Sequence, residues 1–330
     1  YSYYGHTPLT AAMFSVKYEF TDNTPSLPTN MTEIGSQTYS TGNNAASTVH
    51  LYEYNNTLPL GFMVNMSTEA NWNKETGNPF TTQNSFVKTA IDSDANIFHQ
   101  LQTTDTVGTF TAKYQLEEDD NYKPSGDAAT YDVYFYCVTS SETLTVNITN
   151  GSITDDNSTT KTFSSTNQNY ICHVSNVSAG STITVKARDG QALTTCYAYA
   201  FDNDAWETAY KLLNKNPYTV ESYSDTKITG KVTAKKQGIM YTSIPYDKGW
   251  NVYVDGVKSK TTSICSGALT GVLVEAGTHE ITFKYTPKGL VPGIVITIIC
   301  LLIFLGIIYK DNIINLISNK SKNNKVTSKK

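Results

Sequence analysis

Apolar residues recur with a period of two along most of the chain beyond Val107. Phe110, Ala112, Tyr114 and Leu116 alternate with polar residues, as do Tyr131, Val133, Phe135 and Cys137, then Leu144, Val146 and Ile148, then Ile183, Val185 and Ala187. Successive side chains of a strand point to opposite faces, so this spacing predicts strands with one buried face. Strands resume at Ile228 to Ala234, Gly238 to Ile244, Trp250 to Val254, Leu269 to Val274, and Ile281 to Tyr285. Asn150-Gly151 is a tight-turn signal. One helix interrupts the series. Trp206, Ala209, Tyr210 and Leu213 share a face, Asp204 with Glu207 three residues on predicts a capping box, and Asn216-Pro217 ends it.

The first hundred residues mix periods. Leu9 to Phe14 predicts a short helix, Ser15 to Phe20 a strand and Leu58 to Val64 a buried strand. Phe80, Phe86, Val87 and Ile91 fall at nearly helical spacing over Pro79 to Ile91, with Asn78 placed to cap it. The Ser/Thr/Asn-rich stretch from Thr21 to Thr48 reads as a long disordered loop. Further on, Leu144 to Gly151 with Ile183 to Lys186 is echoed by Val252 to Gly256 with Ile281 to Lys284, which suggests two related sandwich-type modules.

Gly289 to Tyr309 is 21 residues without a charge. At about 1.5 Å per residue it crosses a hydrocarbon core of about 30 Å, and it lacks the polar face of a buried soluble helix. The expected fold is therefore mainly β: two sandwich-type β-modules with an intervening helix, a small N-terminal α+β subdomain and one C-terminal transmembrane helix. The expected boundaries are 1–105 for the α+β subdomain, 106–202 for the first β-module and 203–216 for the connecting helix. The second β-module follows at 217–288, the span at 289–309 and a basic tail at 310–330.

Charge gives the span a direction. Six lysines and one aspartate follow it, so the positive-inside rule places the C-terminus in the cytoplasm. Residues 1–288 then lie outside, with 19 Lys+Arg against 28 Asp+Glu. Tyr1 to Phe14 lacks the charged and apolar regions of a signal peptide, so a signal or an earlier span is expected upstream of Tyr1. The formal net charge of −4 over 330 residues gives no footing for nucleic acid.

Motifs for soluble catalysis are missing. His6, His50, His99, His173 and His279 are scattered without metal-ligand spacing, and P-loop, GxGxxG and G-x-S-x-G signatures are absent. The acidic runs Glu117 to Asn121 and Asp155 to Asn157 lack an EF-hand's ligand order and read as solvated loops. Trp72, Trp206 and Trp250 offer faces on which a sugar can stack, but the inward spacing of Trp206 and Trp250 favours a core role. Cys137, Cys172, Cys196 and Cys265 lie outside the span, where disulfides are permitted. They are candidates either for pairing or for small buried apolar positions.

A resemblance sharpens at Ile244-Pro-Tyr-Asp-Lys-Gly-Trp-Asn-Val-Tyr-Val-Asp-Gly256. With Ala276 to Pro287 and the span directly after, it resembles the C-terminal end of the YfhO family of multi-spanning bacterial membrane proteins. Leu9 to Tyr18, Leu58 to Phe62, Asn78-Pro-Phe80, Gln83-Asn84 and Ala205 to Tyr210 look like the same family. The resemblance implies a bacterial cell-membrane protein of the GT-C glycosyltransferase type, using a polyprenyl-phosphate sugar as donor and glycosylating an envelope polymer such as lipoteichoic acid. It implies that the catalytic carboxylate lies upstream of this chain. No cofactor and no catalytic residue are then expected here. The implied partners are the lipid bilayer, the upstream transmembrane domain and an envelope glycopolymer. Tyr246, Asp247, Lys248 and Trp250 are the candidate ligand contacts. The alternative reading is a membrane-anchored glycan-binding or adhesion protein without enzymatic activity.

Overall fold

The computed structural model describes residues 5–21, 29–40, 46–106, 109–116, 130–149, 158–164, 166–168, 171–188 and 191–327. The two acidic runs and Asn150-Gly151 lie outside the described residues. The order opens with α1 (Pro8–Met13), β1 (Tyr18–Thr21), β2 (Met31–Tyr39), β3 (Ser47–Tyr54), β4 (Gly61–Asn65), α2 (Thr68–Asn71) and α3 (Pro79–Ile91). Asn78 caps α3 as expected, its side-chain oxygen accepting from the Phe80 and Thr81 N–H groups at 3.0 and 3.4 Å.

The stretch read as a disordered loop contains β2, paired antiparallel with β3 across a register shift between Glu33 and Gly35; β3 pairs β1 on its other side. Almost all of β2 is exposed. Backbone bonds to β3 hold it while its side chains face water, so no apolar alternation marks it in the sequence.

The first sandwich is one eight-stranded antiparallel sheet in the order β10-β7-β12-β5-β6-β11-β8-β9. Its strands are β5 (Phe98–Thr106), β6 (Thr109–Leu116), β7 (Thr130–Thr139), β8 (Thr143–Thr149), β9 (Ser158–Ser164), β10 (Ile171–Ser178), β11 (Thr182–Ala187) and β12 (Leu193–Phe201). The sheet shifts register at Leu101/Gln102 between β5 and β6. Its inner faces meet over Phe110, Val133, Phe135, Val146, Val174 and Val185, all essentially buried. Alternation here predicted one buried face per strand, but β7 and β12 are covered on both. On their outer side Tyr134, Tyr199 and Phe201 join a second core.

That second core is a helix layer. α1, α3 and α4 (Asn203–Leu213) contribute Leu9, Phe80, Phe86 and Trp206, packed with Tyr241 and Phe98 from the flanking sheets. The cap of α4 is Asp202 rather than Asp204: the Asp202 Oδ1 accepts from the Ala205 N–H at 2.9 Å, which leaves Asp204 inside the first turn.

The last sandwich packs two sheets face to face. One has the order β13-β14-β20-β16-β17 and the other β18-β19-β15-β4. Their strands are β13 (Thr219–Ser224), β14 (Lys227–Ala234), β15 (Gly238–Pro245), β16 (Trp250–Val254), β17 (Val257–Ser259), β18 (Thr261–Ile264), β19 (Leu269–Val274) and β20 (Gly277–Tyr285). Val232, Val252, Ile281 and Phe283 meet Met240, Val272 and Val274 between them. Asp255 and Gly256 turn β16 into β17 with φ of +50° and +79°, the left-handed pair that a two-residue hairpin turn requires. β4 comes from the first hundred residues yet completes the second of these sheets.

Four residues after β20, α5 (Leu290–Thr327) begins. Leu290–Lys310 is 21 residues long, apolar, and has no buried side chain, as a lipid-facing span requires. The helix runs on through Thr327, so most of the basic tail is helical.

Candidate functional site

The predicted contact loop is built into the base of the last sandwich. Trp250 opens β16 and stands opposite Tyr285, the last residue of β20. Its half-buried ring lies 5.0 Å from Tyr285 and edge-on to Phe283 at 6.3 Å, which is a packing role. The Gly249 N–H donates to Asp247 Oδ1 at 2.6 Å, and the Gly249 carbonyl accepts from the Thr286 N–H at 3.0 Å. A side chain at 249 would meet Asp247, the Thr286 carbonyl and the Tyr285 ring, each at 2.8 Å, so the close approach requires glycine here. Tyr246 is half-buried, its N–H bonded to the Ala268 carbonyl, while Asp247 and Lys248 are exposed. The structure thus brings all four residues together and braces them on the segment leading to α5.

Two further polar constellations have no sequence signal. Glu69, in α2, has its Oε1 bonded by the Tyr241 hydroxyl and, at 3.0 Å, by the Cys265 N–H, while its other oxygen takes Lys74. Burial opposes ionisation of Glu69. Hydrogen bonds from Lys74, Tyr241 and the Cys265 N–H outweigh it and hold the carboxyl below its ordinary value. Burial, reinforced by Glu69, pushes the Tyr241 hydroxyl far up. Burial and then the Glu69 charge push the Cys265 thiol up to about 12.

The second constellation surrounds Asp132, whose side chain is fully buried. Its Oδ2 accepts from the Thr29 N–H and hydroxyl at 2.9 and 2.7 Å, and His173 stands 3.4 Å from Oδ1. Burial again opposes the charge, and His173 and Thr29 prevail, so the carboxyl sits below its ordinary value. The turn fixed in this way presents Asn30 to a cleft of about 260 Å³ lined also by Asn56, Asn203, Trp206 and Glu207. Among the described residues the buried Asn30 amide and Trp206 indole N–H meet no hydrogen-bond partner. Such groups suit water or a ligand hydroxyl.

No disulfide links the described cysteines. Cys137 and Cys196 face each other across β7 and β12, and Cys172 on β10 sits opposite Phe135, so all three fill the first sandwich's core. Cys265 belongs to the helix layer beside Glu69, away from them. Among the described residues no cluster of three or more His, Cys, Asp or Glu side chains is arranged to hold a metal ion.

The model of the bacterial membrane protein family YfhO matches residues 1–297. The chain belongs to the YfhO family. The match takes in all four sheets, the helix layer and the start of the span. No curated protein matches the sequence. Among solved structures, quercetin 2,3-dioxygenase from Acinetobacter baumannii is 8% identical, with 58% of this chain and 78% of that one covered at a TM-score of 0.15. Pumpkin seed globulin is 8% identical over 57% and 81% at a TM-score of 0.16. The coconut allergen cocosin is 8% identical over 58% and 82%, also at 0.16. Likeness so slight carries no functional argument for this YfhO chain.

Proposed function

We propose that this chain is the extracellular C-terminal region and last span of a YfhO-family membrane glycosyltransferase. The reaction would move a sugar from a polyprenyl-phosphate donor to an envelope polymer such as lipoteichoic acid, with the catalytic carboxylate upstream of Tyr1. This part is non-catalytic: it braces the membrane domain and positions an acceptor at the membrane surface. The observation that carries the reading is the family match over residues 1–297, joined to a sandwich that ends four residues before an apolar 21-residue helix. The six lysines after the span support a cytoplasmic C-terminus and an outward-facing sandwich. Exposed Asp247 and Lys248, on a loop bonded to Thr286, are the side chains best placed to meet a polymer there.

The test is sugar incorporation into envelope polymers in a strain lacking the gene. Incorporation falls on deletion and returns with the full gene. A folded variant carrying Asp247→Ala and Lys248→Ala restores it only partly if the loop positions the acceptor. Incorporation unchanged by the deletion refutes the transferase reading for that polymer and favours the adhesion reading.

A further inference from the structure

Charge is distributed unevenly between the two halves of the globular part. Residues 1–216 carry ten basic and 22 acidic residues, whereas residues 217–288 carry nine lysines and six acids. Within the second set, four exposed lysines gather at one end of the five-stranded sheet. Lys227 opens β14 and is the register partner of Lys284 near the end of β20. Lys288 follows two residues before α5, and Lys248 sits in the loop whose Gly249 carbonyl is bonded to Thr286. Like charges directly opposite each other weaken a sheet. Nothing offsets this pair: among the described residues none of the four lysines is in an ion pair, and Lys284 has only the Tyr253 ring, 5.0 Å away. The nearby acids are Asp225 and Asp247, and Asp247 already accepts from the Gly249 N–H.

The tether fixes what this end of the sheet meets. Five residue steps separate Tyr285 from Leu290, a reach of at most about 17 Å at full extension. A turn closed by the Leu290 N–H on the Pro287 carbonyl shortens it. The headgroup layer occupies about 5–8 Å of that reach beyond the hydrocarbon core. The lysines are therefore held within about one Debye length, ~8 Å, of the headgroups.

We propose that this lysine collar docks the base of the last sandwich onto anionic phospholipid headgroups of the bilayer that holds α5. The docking orients the sheet on the membrane and supplies the counter-charge that Lys227 and Lys284 lack in the fold. It rests on α5 crossing a membrane and not on any sugar-transfer chemistry.

The test is lysine acetylation footprinting by mass spectrometry on the full chain in nanodiscs of phosphatidylcholine alone or with one-third phosphatidylglycerol. Phosphatidylglycerol should slow acetylation of Lys227, Lys248, Lys284 and Lys288 about fivefold, the attraction expected for a lysine held at an anionic surface. High salt should remove the protection. Lys235 and Lys236, beyond the far end of β14 and more than about 20 Å away along the strand, should react equally in both discs. In Lys227→Gln/Lys284→Gln, protection of Lys248 and Lys288 should weaken. Equal reactivity of the collar in the two discs overturns the proposal, as does equal protection of Lys235 and Lys236. Protection by added polyglycerol phosphate in phosphatidylcholine discs, without any effect of phosphatidylglycerol, also overturns it and reassigns the collar to a soluble polyanion.

Discussion

Glu69 gathers partners from 172 and 196 residues away, so its truncation should loosen the helix layer from the last sandwich. Glu69→Ala leaves the Tyr241 hydroxyl, on a residue only 1% exposed, and the Cys265 N–H without their acceptor. Each stranded buried group costs about 1–3 kcal/mol. Lys74 adds little, because it is partly exposed and keeps the Trp72 ring 5.2 Å away. The sum is about 2–6 kcal/mol, or roughly 3–10 °C in Tm for a fold of this size. The assay is thermal unfolding of the full chain in detergent, followed by tryptophan fluorescence.

A second substitution isolates the cause. Tyr241→Phe alone should cost about 1 kcal/mol. In the Glu69→Ala background it should restore about 1–2 kcal/mol, because it removes the stranded hydroxyl. The reasoning is refuted if Glu69→Ala unfolds within about 0.5 kcal/mol of wild type, or if Tyr241→Phe destabilises the Glu69→Ala protein further. The pH dependence follows from the lowered carboxyl. Its contribution is full above the unfolded value of 4.5 and is lost as pH falls through the folded value. The stability gap between wild type and Glu69→Gln is accordingly widest near neutral pH and closes in acid.

Three more outcomes are expected. Asp132→Ala should cost about 2–4 kcal/mol, because the Thr29 N–H and hydroxyl lose their acceptor; denaturant unfolding measures it. Gly230→Ala should cost several kcal/mol or block folding, since its new Cβ would stand 2.3 Å from the Thr219 carbonyl oxygen in the paired strand β13; a soluble, wild-type-like melting curve would contradict the packing of β13 on β14. Native Cys265 should resist alkylation at pH 8, its thiol being pushed up to about 12, and should react faster in Glu69→Gln; mass spectrometry of the alkylated peptide reads both rates.

What was legible in the sequence was whatever a period or a cap writes locally. The alternation of Leu144, Val146 and Ile148 is β8, and Asn78 with Phe80, Phe86 and Val87 is α3. The span was legible because 21 uncharged residues leave little else for them to do. β2 was not, because it is wet on both sides and is held by backbone pairing and exposed polar side-chain bonds such as Glu33–His50 and Thr38–Thr48, none of which leaves an apolar period. The second buried face of β7 was missed because Asp132 is polar, and its Thr29 and His173 partners come from distant segments. Tyr246 to Trp250 stands out as a sequence block, but the bracing of this loop on Thr286 depends on β16 pairing with β20. Glu69, Tyr241 and Cys265 share no period or motif, since hydrogen-bond partners so far apart leave no local trace.

The placement of β4 bears on how the sandwiches depend on one another. Gly61 to Asn65 pair with β15, and the Gly61 and Leu60 carbonyls accept from the Tyr218 and Ser243 N–H groups at 2.7 and 3.0 Å. A fragment of residues 217–288 would lack these partners, leaving β15 as an open edge in a strand buried along most of its length. It would also uncover Tyr241, which packs on Phe62 and Phe86 from the first hundred residues. Such a fragment should aggregate or melt broadly, whereas residues 5–288 together should unfold in one transition. Two separate transitions of the longer piece would show that the helix layer does not couple the sandwiches, despite the Phe62, Phe86 and Tyr241 contacts that join them.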